Sequence, residues 1–520
     1  MKKKILCGLL CAAMMAGTLV SCGNSGSSSG NSGSTGGDST SSSAEGGSEG
    51  GDSSVDRSES YEVNFVYLVA QEGTEYQAIR DKANELSTAA VNCTVNLIPT
   101  TYGTLNNTVN MMLPAAEPLD WFTGWGSGHS TNMSSGYIRD INDYAEYLPN
   151  ITEWLGDQKP ACEINGQWVV IPSNYERAAW LSYLIRNDIF EEMGYSYDDF
   201  EGIDIDDWSS WDKLTDLFMA VKEAHPEMTV LAGTMNPAYS GGGKYWDPLS
   251  DSFGVLMDYG QSTTVENLFE TDVFYKLCEI SKNWYDKGIY NADIATSTDS
   301  IEPILKAGNT FAGCCNAKPN TIAEKKSQCA QDVGVIKISK TMLSNANYGS
   351  GFCLASASKD PVRAADWFNW MWNDAEFQDL LNWGLEGRDY VVGDDGLAHF
   401  PEGMDANSVD FHSDYGWILP NQMAGHPWEG NDVNVWDQYT DFNKGDYVSK
   451  GFDLVWDNTN VLDQVLACTS IWQEYYQRVT YGATDDLQST IDEMNQKLYD
   501  AGLQDIIDEK QKQLDAVLNG

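Results

Sequence analysis

The sequence is poor in positive charge. Lysine and arginine together number 31, against 77 aspartate and glutamate residues, and the formal net charge is −46 at pH 7. A surface this acidic repels phosphate backbones, so the composition argues against a nucleic-acid-binding protein. The chain also lacks a Gly-x-x-x-x-Gly-Lys loop, the motif that cradles nucleotide phosphates, and we therefore expect ATP to be handled by a partner.

Residues typical of hydrolytic and metal centres are scarce. The five histidines show no Ser-His or Cys-His arrangement and lie at His129, His225, His399, His412 and His426. Eight cysteines without metal-ligand spacing follow residue 60, mostly in apolar contexts, where cysteine acts as a small hydrophobe: Cys93, Cys162, Cys278, Cys314, Cys315, Cys329, Cys353 and Cys468. One or two disulfide bonds are possible in an exported protein, but the sequence does not give their pairing. The acidic run 198–207 departs from the spacing of a calcium loop, so we expect a solvated loop there.

One apolar run opens the chain, and it is too short to span a bilayer. Three lysines precede residues 5–20, and Leu19-Val20-Ser21-Cys22 follows, which is the pattern of a secretory signal. We therefore expect a signal peptide at residues 1–21. The last four residues resemble a bacterial lipobox, which implies cleavage before Cys22 and attachment of lipid to it.

The next segment is almost only glycine, serine, threonine and asparagine with a few acids. Such a composition buries too little apolar surface to fold, so residues 22–59 are predicted to be a lipidated cysteine followed by a disordered linker. The remaining stretch of about 460 residues is too long for one core, and we expect two lobes.

The pattern of the folded part predicts an α/β fold. Alternating apolar residues at 63–69, a helical spacing at 76–86 and an apolar run at 91–98 indicate strand, helix and strand, which makes the two strands parallel. A short strand is expected at 119–122. The loops that follow parallel strands are where open α/β sheets bind ligands.

Turn and cap residues mark further elements. Asn165-Gly166 predicts a β-hairpin because both turn positions need positive φ, and Trp180 to Arg186 reads as a strand. Ser209 suits the start of a helix that ends at His225-Pro226, and Asp360-Pro361 suits the start of another. A tail of helices is expected from Asp485 to Leu518.

Several landmarks resemble those of the extracellular solute-binding proteins of family 1, in the lipoprotein branch associated with oligosaccharide ABC importers. They are the Pro-terminated hairpin 165–172, the tract 181–194, the helix 211–227, the segment 354–361 and the element Gly384-Leu385-Glu386-Gly387-Arg388-Asp389-Tyr390. The resemblance implies two α/β lobes with a hinge and a ligand cleft between them. By analogy, lobe 1 comprises residues 60–175 and 346–388, and lobe 2 comprises residues 176–345 and 389–520.

Aromatic side chains are abundant, with 18 tryptophans and 26 tyrosines. A pyranose has an apolar C–H face that lies flat on such a ring. Our ligand-binding candidates are rings that, apart from Trp180, lie beside Gly, Pro, Asn or Asp, although a core position is an alternative for each: Trp121, Trp125, Tyr175, Trp180, Trp246, Trp383, Trp417 and Trp428. Glu386 is a further candidate, since its carboxylate could accept sugar hydroxyls or, instead, hold backbone amides in a turn.

The sequence thus predicts a lipid-anchored, extracytoplasmic receptor of an ABC importer that captures an oligosaccharide and passes it to permease subunits. We expect a monomer with no catalytic residue, cofactor or metal. The alternatives are an exported glycoside hydrolase, which needs a pair of carboxylates about 5 to 9 Å apart, and a peptide-binding receptor on the same scaffold.

Overall fold

The computed structural model describes residues 55–69, 76–101, 104–115, 117–124, 128–297, 299–345, 351–406, 408–413 and 415–519. The predicted signal peptide, Cys22, most of the predicted linker and Trp125 lie outside the described residues. Among the helices that are described, none has the length and apolar character needed to cross a membrane.

The described strands are short except for four of seven or eight residues. They are β1 (Tyr61–Leu68), β2 (Cys93–Thr100), β3 (Trp121–Thr123), β4 (Glu163–Ile164), β5 (Gln167–Trp168), β6 (Trp180–Arg186), β7 (Thr229–Leu231), β8 (Thr310–Ala317), β9 (Val333–Lys337), β10 (Met342–Leu343), β11 (Phe352–Leu354), β12 (Val391–Val392), β13 (Ala398–His399) and β14 (Tyr447–Val448).

Helices make up most of the remaining regular structure. They are α1 (Tyr76–Val91), α2 (Leu105–Ala115), α3 (His129–Ser134), α4 (Pro149–Leu155), α5 (Asn187–Glu192), α6 (Trp208–Ala224), α7 (Pro237–Ser240), α8 (Met257–Gly260), α9 (Asp272–Asp286), α10 (Ile301–Lys306), α11 (Thr321–Cys329), α12 (Pro361–Asn373), α13 (Ala375–Asn382), α14 (Val435–Phe442), α15 (Leu462–Thr480), α16 (Leu487–Asp500) and α17 (Leu503–Asn519). Short 3-10 helices occur at Ile141–Tyr147, Gly156–Cys162, Tyr197–Phe200, Leu268–Glu270, Ile294–Thr296, Gly416–Ile418, Gln422–Ala424 and Thr459–Val461.

The first sheet has the strand order β11-β3-β1-β2. Strand β1 pairs in parallel with β2, to which α1 connects it, and in parallel with β3, while β11 is antiparallel to β3. The predicted strand-helix-strand unit and the α/β class are therefore confirmed. A crossover through a helix is what makes neighbouring strands parallel.

The second sheet has the strand order β7-β8-β6-β9. Strand β6 lies between β8 and β9 and is antiparallel to both, whereas β7 is parallel to β8. The predicted strand at Trp180 to Arg186 is thus a central strand of this sheet.

Local signals set most of the element ends. Asn165 and Gly166 have φ of 52° and 76° and join β4 to β5 in the predicted hairpin. Asp360 caps α12 through the backbone N–H of Arg363, as predicted. The predicted start of α6 at Ser209 is wrong by two residues, because Asp207 caps this helix and accepts the N–H of Ser209.

Each sheet has its own hydrophobic core. The first core packs Phe65 and Phe352 against Trp367 and Phe368 of α12. The second core covers β6 and β8 and extends to buried residues of the predicted tail of helices, among them Ile506. Burial of each large side chain contributes roughly 1.5–3 kcal/mol, so both cores are substantial.

Three segments run between the two sheets. Ala179 pairs with Met342 of β10, and β10 pairs in turn with β14. The amide of Asn443 accepts the N–H groups of Arg177 and Ala178 and donates to the carbonyl of Tyr175. These segments are where a hinge is expected, and the predicted lobe boundaries remain a prediction.

All eight cysteines of the described residues are free and buried. Burial raises the pKa of the thiols, for example to about 11 for Cys315 and Cys329. They therefore act as small core side chains.

Candidate functional site

A cavity of about 1330 Å³ lies between two walls of the structure. One wall comes from α10, the end of β8 and α11, and the other comes from the segment between the end of α13 and α14. Its lining residues are Ser300, Glu302, Pro303, Lys318, Asn320, Ala323, Glu324, Lys325, Lys326, Gln328, Asn382, Trp383, Phe400, Ser413, Tyr415, Gly416, Trp417, Gln422, Trp428, Glu429, Gly430, Asn431, Trp436 and Tyr439.

An aromatic cluster forms part of the second wall. The ring of Trp428 lies 4.7 Å from Trp383, 4.6 Å from Phe400 and 4.5 Å from His412, measured between centroids, and Trp383 stacks on His412 at 5.3 Å. Burial lowers the pKa of His412 to about 4, so its imidazole is neutral near pH 7. Three of these rings, those of Trp383, Phe400 and Trp428, reach the cavity.

The loop that carries Trp428 is fixed by a buried carboxylate of α13. Asp379 accepts the backbone N–H of His426 at 2.8 Å and lies 2.6 Å from its Nδ1. Burial raises the pKa of Asp379 to about 6, and the nearby Glu386 also acts to raise it. The hydrogen bonds from His426 act to lower this pKa but do not outweigh burial. The same loop accepts two indole N–H groups, from Trp383 at the carbonyl of His426 and from Trp436 at that of Gly425. Asp379 therefore positions several cavity rings at once.

Further aromatic rings continue this wall. Trp417 is half-buried and lies beside Tyr415, with centroids 6.2 Å apart. Trp436 and Tyr439 sit one helical turn apart on α14, with centroids at 5.4 Å. The wall thus offers several flat apolar surfaces to a ligand.

Charged side chains dominate the opposite wall. Lys318 pairs with Glu176 at 2.6 Å and with Glu324 at 2.9 Å, and Lys325 pairs with Glu302 at 2.7 Å and with Glu324 at 3.4 Å. Burial acts to raise the pKa of Glu324, but Lys318 and Lys325 hold it at about 2. Glu324 is therefore ionised and paired with both lysines at neutral pH.

Hydrogen bonds join the two walls at their base. Asn320 donates to Asn431 at 2.9 Å and accepts the hydroxyl of Tyr439. Glu176, which already accepts from Lys318, also accepts the amide of Gln422 at 2.6 Å. The cavity is consequently one structural unit built from sequence-distant segments.

Three of the predicted ligand-binding residues line this cavity, namely Trp383, Trp417 and Trp428. Trp121 and Trp246 do not, because they are 0% and 1% exposed. Trp121 stacks on Phe368 at 4.2 Å and donates its indole N–H to Ala364, while the ring of Trp246 packs against Gly241. The structure thus corrects these two candidates to core residues.

The other predicted aromatic residues are not in the cavity lining. The carbonyl of Tyr175 is bonded to Asn443, and the half-buried Trp180 packs on Phe442 at 5.0 Å. Tyr175 lies in a segment that runs between the sheets, and Trp180 is the first residue of β6. Trp125 lies outside the described residues.

Glu386 is exposed and lines a separate cavity of about 270 Å³ with Lys82, Glu376 and Tyr390 among others. The carboxylate that holds this turn is its neighbour Asp389. It is fully buried and accepts the N–H groups of Leu385, Asp410 and Phe411. The amide-holding role considered for Glu386 therefore belongs to Asp389.

Sequence reasoning missed Phe400, Tyr415, Trp436 and Tyr439, as well as the polar wall around Lys318. Phe400, Tyr415 and Trp436 share the signal used for Trp417 and Trp428, since each lies beside Gly, Pro or Asp, whereas Tyr439 has no such neighbour. The ion pairs had no such signal, because Glu176 and Lys318 are 142 positions apart.

A second, smaller cavity of about 310 Å³ is lined by His129, Ser130, Asn345 and Trp456 among others. Burial lowers the pKa of His129 to about 4, and its Nδ1 lies 3.4 Å from the sulfur of Cys353. Within the described part of the chain, no group of three or more His, Cys, Asp or Glu residues could hold a metal ion.

Comparisons with known proteins cover up to 88% of this chain. A family model described as a domain of unknown function, DUF3502, matches residues 449–519. A carbohydrate ABC transporter substrate-binding protein of Streptococcus pneumoniae is 22% identical over 333 residues. That alignment covers 61% of this chain and 64% of the relative, so the chain matches just under two thirds of that protein's length.

Solved structures match a larger share of this chain than that relative does. The crystal structure of NgtS, an N-glycan transport solute binding protein from Streptococcus pneumoniae, has a TM-score of 0.74 at 17% identity and covers 88% of this chain and 99% of its own. The ABC-transporter substrate binding protein FusA of S. pneumoniae, in complex with kestose, has a TM-score of 0.60 at 14% identity and covers 88% and 99%. The TM-scores, rather than these low identities, establish the fold. The predicted resemblance is confirmed, and the chain has the two-lobed α/β fold of the solute-binding proteins of carbohydrate ABC transporters.

Proposed function

We propose that the protein is the membrane-anchored substrate-binding lipoprotein of an ABC importer, which captures an oligosaccharide outside the cell and delivers it to permease subunits. The observation that carries this proposal is the cavity of about 1330 Å³ with Trp383, Trp417, Trp428 and Trp436 at one wall. A structural neighbour, NgtS, is described in complex with Man5GlcNAc, which supports the ligand class.

The size and lining of the cavity suit a glycan of several units. Pockets for small ligands measure about 300–1,000 Å³, so this cavity exceeds the volume that a single sugar needs. Flat indole rings match the C–H faces of pyranoses. The amides of Asn320, Gln328, Asn382 and Asn431 lie among the polar groups that can meet hydroxyls.

Capture is proposed to proceed by closure of two lobes. Ile418 and Leu419 pack with the first core, so we place residues 389–442 with the first lobe, which shifts the sequence-based boundary. The wall formed by β8, α10 and α11 belongs to the second sheet and its helices. A sugar that contacts both walls binds the closed form more tightly than the open one, and that difference in affinity drives closure.

The carboxylates at the cavity favour binding over hydrolysis. A glycosidase needs one carboxylic acid with a raised pKa as proton donor. Glu324 has instead a lowered pKa of about 2, and the pKa of Glu302 is also lowered, since Lys325 outweighs its burial. Asp379, with a pKa near 6, is bonded to His426 behind the aromatic wall. These states support a receptor that releases its ligand unaltered.

The proposal includes a lipid anchor at Cys22, in the lipobox-like sequence that ends the predicted signal peptide. Several acyl chains hold a protein stably at a membrane, whereas one does so only marginally. Processing of the exported protein should stop when Cys22 is replaced by Ala or globomycin is added. Unchanged processing in both cases contradicts the anchor.

A thermal-shift screen of the purified protein against neutral glycans and peptides tests the ligand class. A ligand at 100 times its Kd adds about 2.7 kcal/mol of stability, so one glycan should raise Tm clearly. Trp428→Ala should weaken binding of that glycan by about tenfold, because it removes a stacking surface. Trp208→Ala, a half-buried tryptophan on α6 away from the cavity, is the matched control.

Two outcomes contradict the proposal. The sugar assignment is wrong if peptides raise Tm and no glycan does. Release of reducing ends from a bound glycan would favour the hydrolase instead.

A further inference from the structure

The lysines that line the large cavity are all paired with carboxylates. Its three lining lysines are each bound to a carboxylate: Lys318 to Glu176 and Glu324, Lys325 to Glu302 and Glu324, and Lys326 to Asp332 at 2.7 Å. Glu429, which also lines the cavity, is bonded to His399 rather than to a lysine. Among the described residues, the cavity lining thus holds three lysines and three carboxylates, and Glu176 and Asp332 pair with two of these lysines from outside the lining.

The pairs at the centre of the wall are shielded from water. The side chains of Lys318 and Lys325 are only 17% and 13% exposed, and Glu324 accepts from both. Lys318 also lies over the ring of Tyr439 at 5.6 Å, and Lys325 donates to Gln328 at 2.8 Å. Their ammonium donors are thus committed to protein acceptors.

An anionic ligand meets an unfavourable site for two reasons. To gain Lys318 or Lys325 it must displace a carboxylate that then stays partly buried without its partner, which is costly. If it leaves the pairs intact, its charge faces an excess of carboxylates in a chain whose net charge is −46. Hydroxyl groups avoid both penalties, since they can donate to the carboxylates and accept from the amides of the wall.

We propose that this cavity selects uncharged oligosaccharides and rejects glycans that carry carboxylates, such as uronate and sialic acid units. This inference rests on the proposed function, because it concerns the ligand of the same cavity. Its physical basis is a set of ion pairs that shapes the wall and commits the shielded ammonium groups of Lys318 and Lys325 to carboxylates.

Matched pairs of glycans test the selectivity by calorimetry. The probes are β-1,4-mannotriose against β-1,4-trimannuronate, and lactose against sialyllactose, in the full-length exported protein. We expect each neutral glycan that binds to exceed its acidic counterpart by about tenfold or more at low salt. The difference should shrink as the Debye length falls from about 30 Å at 0.01 M salt to about 3 Å at 1 M.

Two variants each remove one carboxylate from the ion pairs of the cavity, and a third removes one elsewhere as a control. Asp332→Asn frees Lys326 in an exposed pair, and Glu324→Gln removes the carboxylate shared by Lys318 and Lys325. Both should raise the affinity for the acidic glycan relative to the neutral one by about twofold or more. Glu223→Gln, on the exposed face of α6, alters the net charge equally and should leave the ratio unchanged.

The outcomes separate the two proposals. Equal or tighter binding of the acidic glycans by the wild-type protein at low salt overturns the selectivity while the receptor function stands. Unchanged ratios in Asp332→Asn overturn its electrostatic basis, and that exposed substitution leaves folding intact. If no glycan of either kind binds, the receptor function itself fails and the selectivity falls with it.

Discussion

At the residue scale, His412 shows how an aromatic cavity depends on the charge state of one group. Its ring lies among Trp383, Phe400 and Trp428, and burial lowers its pKa to about 4 from an ordinary value of 6.5. The folded state prefers the neutral imidazole, so its contribution to stability is present above pH 6.5 and is lost as the pH falls toward 4.

Replacement of His412 by Phe should remove this pH dependence. A shift of two and a half pKa units corresponds to about 3 kcal/mol, so between pH 7 and pH 4 the wild-type protein should lose about that much more unfolding free energy than His412→Phe. Urea unfolding at several pH values measures the difference. Identical profiles for the two proteins would contradict the buried, neutral state of His412.

His399 supplies the opposite case and serves as a control. Asp395 and Glu429 raise its pKa, so its contribution is present at low pH and is lost as the pH rises through its folded pKa. The unfolding free energy that His399→Gln loses relative to the wild-type protein should therefore be largest at low pH. The two histidines look alike in the sequence, and only their neighbours distinguish them.

At the element scale, helix α13 and the loop 425–428 act as one support. Asp379 of α13 holds the loop, and the loop holds the indoles of Trp383 and Trp436. Gly425 permits this contact, since a Cβ there would lie 2.5 Å from the Asp379 carboxylate. The support links the helix to three rings of the cavity.

Asp379→Ala should weaken both folding and ligand binding. It leaves the N–H groups of His426 without their acceptor, at a cost of about 1–3 kcal/mol, and frees the loop that carries Trp428. Asp379→Asn should retain most of the affinity. Asp374→Ala, which removes only the cap of the same helix, should cost about 1 kcal/mol of stability and leave glycan affinity unchanged.

Denaturant unfolding and calorimetry on the three variants separate these effects. If Asp374→Ala reduces affinity as much as Asp379→Ala, helix stability alone explains the loss and the support role is wrong.

Elements with strong local signals were predictable from the sequence. The hairpin at Asn165-Gly166 and the start of α12 at Pro361 follow from backbone requirements of a few adjacent residues. The start of α6 was misplaced because Asp207 and Ser209 are both good caps and only the structure shows which one accepts the N–H. For the same reason Trp121 and Trp246 could not be assigned, since a ring beside a turn can face the core or a cleft.

At the scale of the whole molecule, the cavity combines residues that lie far apart in the chain. Glu176 meets Lys318 and Gln422, and Asn320 meets Asn431. Such contacts depend on the packing of both lobes, which local patterns do not encode. The aromatic content of one wall was predictable, whereas the polar wall opposite required the fold.

Ligand binding should make the molecule more compact. A glycan that contacts both walls favours the closed form, so the radius of gyration from small-angle X-ray scattering should fall as glycan is added. In Trp428→Ala the fall should need about tenfold more glycan, and Trp208→Ala should match the wild type. A constant radius of gyration at saturating glycan would rule out lobe closure.

The burial of every described thiol has a practical consequence. Maleimide dyes react with exposed thiolates, and these eight sulfur atoms are shielded and hard to deprotonate. A cysteine introduced at the surface of each lobe should therefore accept a fluorophore selectively in the native protein. Energy transfer between two such dyes could then follow single molecules as they open and shut around a sugar, with the native cysteines left in place.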